Sequence, residues 1–144
     1  EEIVKKIQKR LKFDYLQFHG NESPEYCSSF KNTAKIIKAF RLKDLESIKG
    51  ALDYDVDIYL LDAFVKGKYG GTGKLININL AKKLVALIKK PIMISGGLNC
   101  KNIAKVIREL RPYAVDVSSG VEKYPGKKDT GLLKEFIGKI RDLG

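Results

Sequence analysis

"PIMISGGLNCKNIAKVIRELRPYAVDVSSG" occupies residues 91–120. It holds two short apolar runs, "PIMISGG" (91–97) and "YAVDVSSG" (113–120), each bounded by turn residues and of strand length. Between them "NCKNIAKVIRELRP" repeats apolar residues at helical spacing and stops at Pro112. A strand, a helix and a second strand in that order predict a βαβ unit with the strands parallel. The same alternation extends outward. "DYLQFHG" (14–20), "KIIKAF" (35–40) and "IYLLDAF" (58–64) are further strand candidates. "SPEYCSSFKN" starts a helix at Pro24 just after Ser23. "RLKDLESIKGAL", "INLAKKLVALIKK" and "TGLLKEFIGKIRDLG" continue the helical pattern. "EEIVKKIQKRLKF" opens the chain inside a helix, with Ile3, Val4, Ile7 and Leu11 on one face and no strand before it. The class is α/β: five parallel strands alternating with helices, in a single domain spanning residues 1–144.

The polar residues of the strands gather at their C-terminal ends: Gln17 and His19 in the first, Lys38 in the second, Asp62 in the third, Ser95 in the fourth, Asp116 and Ser118 in the fifth. Successive side chains alternate across a strand, so each of these can point to one side of the sheet. In α/β folds, and above all in (β/α)8 barrels, that end carries the chemistry. The pattern therefore points to an α/β enzyme with a polar or phosphorylated ligand, without naming a reaction.

The formal net charge is +11, from 28 Lys and Arg against 17 Asp and Glu. These basic residues are spread along the whole chain, with no arginine-rich arm and no basic run interleaved with aromatics, so nucleic acid is not an expected partner. A positive field also draws in phosphorylated small molecules. Cys27 and Cys100 are isolated and the chain has one histidine, so no metal site is expected. No apolar run approaches a membrane span and no signal peptide is recognised, which leads to the expectation of a cytoplasmic protein without a membrane partner.

"ISGGL" (94–98) and "SSGVE" (118–122) are strand-to-helix turns whose glycines let consecutive backbone N–H groups approach a phosphate. Each alone reads equally as a tight turn. The pair, on the last two strands, favours phosphate. "YGGTGK" (69–74) lacks the spacing of a nucleotide-binding P-loop and reads as a Gly-rich loop over a site, or as a solvent loop. Burial disfavours the charged form of a carboxylate, as a general acid requires, and Asp62 ends an apolar strand. The other reading of Asp62 is a cap or the partner of a lysine. His19 reads as a satisfied residue of the mouth rather than a base. Lys38 reads as a Schiff-base or anion-binding lysine, or as the partner of a neighbouring carboxylate, the second being favoured.

"LQFHG", "LLD" followed by "GGTGK", "SGGLN" and "AVDVSSGVEKYPGKKD" together resemble the phosphoribosylanthranilate isomerase family, in order and spacing, along the whole chain. The resemblance implies a (β/α)8 TIM barrel and an Amadori rearrangement of N-(5-phosphoribosyl)anthranilate in tryptophan biosynthesis, with no cofactor. It implies that Asp62 is the general acid, that Gly96, Gly97, Ser118, Ser119 and Gly120 bind the phosphate, that His19 and Asp116 line the substrate, and that residues 70–73 close beside it. In that family a first strand reading like K-I-C-G-I carries a cysteine base, and a second strand ends in an arginine that meets the anthranilate carboxylate. Neither motif is present here, and Cys27 and Cys100 match helical or loop positions. A full barrel takes about 200 residues or more. The resemblance thus implies the C-terminal part of such a barrel, its fourth to eighth strands without the first three, with the acid and phosphate site but not the base, and inactive by itself. The expected partners are a sugar phosphate and either the N-terminal barrel units or a second copy of the chain. The alternatives are a non-catalytic, phosphate-binding half-barrel that self-associates through its sheet edges, and a sugar-phosphate isomerase of histidine synthesis.

Overall fold

At the centre lies β3 (Ile58–Ala63), buried along its whole length, as an apolar strand covered on both faces must be. The structure, a computed structural model, describes residues 1–63 and 75–143. Around β3 stand β1 (Tyr15–Phe18), β2 (Lys35–Leu42), β4 (Ile92–Ile94) and β5 (Ala114–Val115). The sheet order is β1-β2-β3-β4-β5, every pair parallel, with β1 and β5 at the edges. The five strand candidates are thus all strands of one sheet.

Helices alternate with them as expected: α1 (Glu2–Leu11), α2 (Pro24–Ser28), α3 (Leu45–Leu52), α4 (Ile78–Leu87), α5 (Ile103–Leu110) and α6 (Thr130–Arg141). Their starts are set locally. Ser23 Oγ accepts from Tyr26 N ahead of Pro24, Asp44 and Ser47 form a reciprocal capping box, and Asp129 Oδ1 accepts from Leu132 N. α1 and α5 end on residues with positive φ, Lys12 (52°) and Arg111 (43°).

The alternation of side chains divides the core in two. Toward the helices point Ile36, Phe40, Leu42, Tyr59, Leu61 and Ile94, packed on Phe30, Leu84, Ile103 and Phe136. Each such burial contributes about 1.5–3 kcal/mol. The opposite, concave face holds a smaller cluster of Ile37, Ala39, Ile58 and Leu60 with Met93. The apolar stripe of α1 does not all face the core: Val4 packs inward, but Ile3, Ile7 and Leu11 are exposed. Gln8 is the buried residue instead, its amide tying Phe13 and Thr33. The last strand is shorter than 113–120: it ends at Val115, and residues 119–121 wind into a 3-10 turn. An unforeseen hairpin, β6 (Glu122–Tyr124) and β7 (Lys127–Lys128), follows, turning at Gly126 with φ 83°. Finally, Lys38 shares the parity of Ile36 and Phe40 and so points toward the helices rather than the mouth.

Candidate active site

The concave face ends in a row of polar side chains. His19 follows β1, Arg41 lies near the end of β2, Asp62 near the end of β3, Ser95 follows β4 and Asp116 follows β5. Arg41 and Asp62 are directly paired in register. The strand candidate 35–40 stops short of Arg41, which makes Lys38 the polar end of that run in the sequence. The two further residues of strand, to Leu42, were the missing signal. Arg41 Nη2 donates to Asn21 Oδ1 at 3.3 Å.

Asp62 is buried, at 3% exposure. Its Oδ1 accepts the Ala63 N–H at 2.7 Å, and its Oδ2 lies 3.2 Å from His19 Nε2. Among the described residues, the partners of Asp62 are an imidazole and a backbone amide rather than a lysine. His19 reaches it across the end of β2, which separates their strands in the sheet. His19 is about one-third exposed, so this pair sits at the boundary between core and solvent.

The glycine turn after β4 closes on the same carboxylate. Gly96 and Gly97 have φ of 85° and 63°. A Cβ on Gly96 would lie 2.5 Å from Ala63 N and 2.6 Å from Asp62 Oδ1. Position 96 therefore has no room for a side chain beside Asp62. The Gly97 carbonyl accepts from both Asn99 Nδ2 and Asn102 Nδ2, at 3.2 and 2.8 Å, which ties the turn to the start of α5. The second turn packs on the first: a Cβ on Gly120 would meet Leu98 O at 1.7 Å. Ser119 and Gly120 open the 3-10 turn, where the first N–H groups of a helix have no partner within it and suit an anion. Lys128 adds a charge that had been missed, donating to Ser118 O at 2.9 Å and pairing with Glu122 at 2.7 Å. Only the return of the β6–β7 hairpin brings it there. Ser95 Oγ donates to Asp116 Oδ2 at 3.1 Å, linking the ends of β4 and β5.

All the candidate site residues thus lie along one end of the sheet, Gly96 against Asp62 and Gly120 against the first turn. The Gly-rich segment 69–74, with residues 70–73, lies outside the described residues. Among the described residues no group of three or more His, Cys, Asp or Glu could hold a metal ion, and no helix is long and apolar enough to cross a membrane. Cys27 and Cys100 are buried among the helix-side residues, and burial pushes both thiols above their ordinary value.

The family model of N-(5'-phosphoribosyl)anthranilate (PRA) isomerase matches residues 1–139. The chain belongs to the PRA isomerase family. Similar curated members are the N-(5'-phosphoribosyl)anthranilate isomerases of Trichlorobacter lovleyi, 40% identical over 98% of this chain and 67% of that protein, and of Caldanaerobacter subterraneus subsp. tengcongensis, 44% identical over 99% and 68%. The crystal structure of the PRA isomerase from Thermotoga maritima superposes with a TM-score of 0.85 at 32% identity, covering 99% of this chain and 68% of that one. Another PRA isomerase structure holds reduced 1-(o-carboxyphenylamino)-1-deoxyribulose 5-phosphate and superposes with a TM-score of 0.81 at 32% identity, covering 99% and 66%. The chain spans about two thirds of the length of the relatives it matches. The fold is of the family's TIM-barrel type.

Proposed function

We propose that this chain supplies the acid and the phosphate site of PRA isomerase, as the fourth to eighth βα units of the barrel, and that it acts in tryptophan biosynthesis. The observation that carries this is the buried Asp62 at the mouth, bonded to His19 and flanked by a glycine turn. The substrate, N-(5-phosphoribosyl)anthranilate, places its 5-phosphate on the N–H groups of the turns at Gly96–Gly97 and Ser118–Gly120, with Lys128 beside them. Asp62 gives a proton to the furanose ring oxygen. The C1–O bond breaks toward that oxygen, and the nitrogen lone pair forms the C1=N Schiff base. A base then removes the C2 proton, the C2–H electrons forming the C1=C2 bond of the enolamine as the C1=N π electrons return to nitrogen. Tautomerisation yields 1-(2-carboxyphenylamino)-1-deoxyribulose 5-phosphate. The base is neither Cys27 nor Cys100, since both are buried on the helix side with raised thiols. The rearrangement is internal and draws on no redox partner.

The test follows turnover by loss of anthranilate-type fluorescence, for the 144-residue chain alone and with the N-terminal third of a relative added. General acid–base groups typically contribute about 10²–10⁴ in rate, so Asp62→Asn should lower kcat on that scale with little change in KM. Undiminished kcat in Asp62→Asn would place the acid elsewhere. Calorimetric titration with the reduced product analogue provides a second readout, because binding through the phosphate turns does not require turnover.

A further inference from the structure

Lys38 and Glu22 play no part in the chemistry above, yet they form an ionic cluster directly behind it, with Lys38 buried and Glu22 partly exposed. Lys38 is 3% exposed. Its Nζ donates to Gly20 O at 2.9 Å and to Ala39 O at 3.1 Å, and lies 3.2 Å from Glu22 Oε2. The ammonium also stands over the rings of Phe40 and Tyr54, 5.7 and 5.9 Å from their centroids. Glu22 accepts the Gly20 N–H on both oxygens, at 2.9 and 3.2 Å, and its carbonyl accepts from Tyr54 Oη at 2.7 Å. Burial works against the charge on Glu22, but backbone N–H groups and Lys38 hold its carboxyl below the ordinary value.

Burying the Lys38 ammonium is a poor way to gain stability, because its desolvation offsets most of the attraction to Glu22 and an apolar side chain fills the same space. What the pair does is fix backbone. The Gly20 N–H belongs to the peptide that leaves His19, and the Gly20 carbonyl to the next one. Glu22 holds the first and Lys38 the second. Two successive peptide planes are thereby locked at the point where β1 becomes a loop, and with them the direction of the His19 side chain. We propose that Lys38 and Glu22 are positioning residues that clamp both peptides of Gly20 and so hold His19 against Asp62. The clamp gains its catalytic meaning from the reading of Asp62 as the acid, but its geometry can be tested without turnover.

His19 is the only histidine, so its imidazole nitrogens give one set of signals in a nitrogen-15 spectrum. The contact selects one ring tautomer in either state of Asp62: a carboxylate only accepts and puts the proton on Nε2, whereas a carboxylic acid donates to Nε2 and puts it on Nδ1. At pH 8.5 the wild-type chain should show a single tautomer with widely separated nitrogens. Asp62→Ala removes the carboxyl and sets the reference for a released ring. Lys38→Met removes the ammonium. Gly20→Ala places a Cβ 2.8 Å from Glu22 Oε1 and displaces that carboxylate without touching the core. Both variants should move the two nitrogens toward each other, in the direction of Asp62→Ala, while the backbone amide spectrum reports an intact fold. Folded variants with the wild-type imidazole spectrum would overturn the clamp and leave the pair merely structural. Should Lys38→Met not fold, Gly20→Ala decides alone. Loss of the isomerase reading, by contrast, would appear in the Asp62→Asn kinetics and leave these spectra as they are.

Discussion

Gly96→Ala should be among the most damaging single-methyl changes in this protein, and the structure allows its cost to be divided. Gly96 has φ 85°. A residue with a Cβ is disfavoured in left-handed backbone by about 1–2 kcal/mol. The same Cβ would also stand 2.5 Å from Ala63 N and 2.6 Å from Asp62 Oδ1, an overpacking that typically costs about 1–3 kcal/mol. Together they amount to roughly 2–5 kcal/mol. Gly126 is the natural control: its φ is 83°, and a Cβ there meets nothing within 4 Å. Gly126→Ala therefore carries the first cost without the second. In a chain of this size each kcal/mol lowers Tm by roughly 2–4 °C, so Gly126→Ala should lower it by roughly 2–8 °C and Gly96→Ala by roughly 4–20 °C. Thermal melts followed by circular dichroism measure both. The His19 imidazole spectrum gives a second reading, because the displaced Asp62 carboxylate must shift its contact with Nε2 in Gly96→Ala and not in Gly126→Ala. Equal melting shifts would show that the β3 end yields to the methyl group, and that Gly96 does not confine the acid.

Other expectations follow from separate parts of the molecule. Gly120→Ala places a methyl 1.7 Å from Leu98 O, so the two turns must part and binding of the reduced product analogue, measured by calorimetry, should weaken; unchanged affinity would mean the turns do not act together. Asp55 pairs with Lys31 and Lys90, which hold its carboxyl down to about 2. A depressed folded-state value means that its stabilisation is present above the ordinary value near 4 and is lost as pH falls from there toward 2. Asp55→Asn should flatten the acid side of the melting profile in that window, and added salt should do the same to the wild type. The buried, raised thiols of Cys27 and Cys100 should resist Ellman's reagent in the native protein and react when it is denatured; rapid native labelling would contradict their burial.

Much of this protein is written in local patterns. The alternation of strand and helix along the chain, the N-cap at Ser23, and the glycine turns after β4 and β5 are set by residues a few positions apart. Periods of 2 and 3.6 and turn chemistry reveal them without tertiary information. The same holds for Asp62, since an apolar run that ends in a carboxylate shows in the sequence itself. What tertiary structure alone decided is where separate segments meet. The face on which a charge lies depends on strand length and parity: β2 runs on to Leu42, which puts Arg41 at the mouth and turns Lys38 back among Glu22, Phe40 and Tyr54. His19 and Asp62 are 43 residues apart and meet only because β1 and β3 flank β2. Lys128 reaches Ser118 through a hairpin whose short polar strands have no apolar alternation to announce them. Gly120 faces Leu98 because β4 and β5 pair in one register. Local periodicity sets the elements through neighbours that touch at any fold, whereas these contacts arise from the one packing in which the helix-side core closes, and no short window of sequence contains both partners.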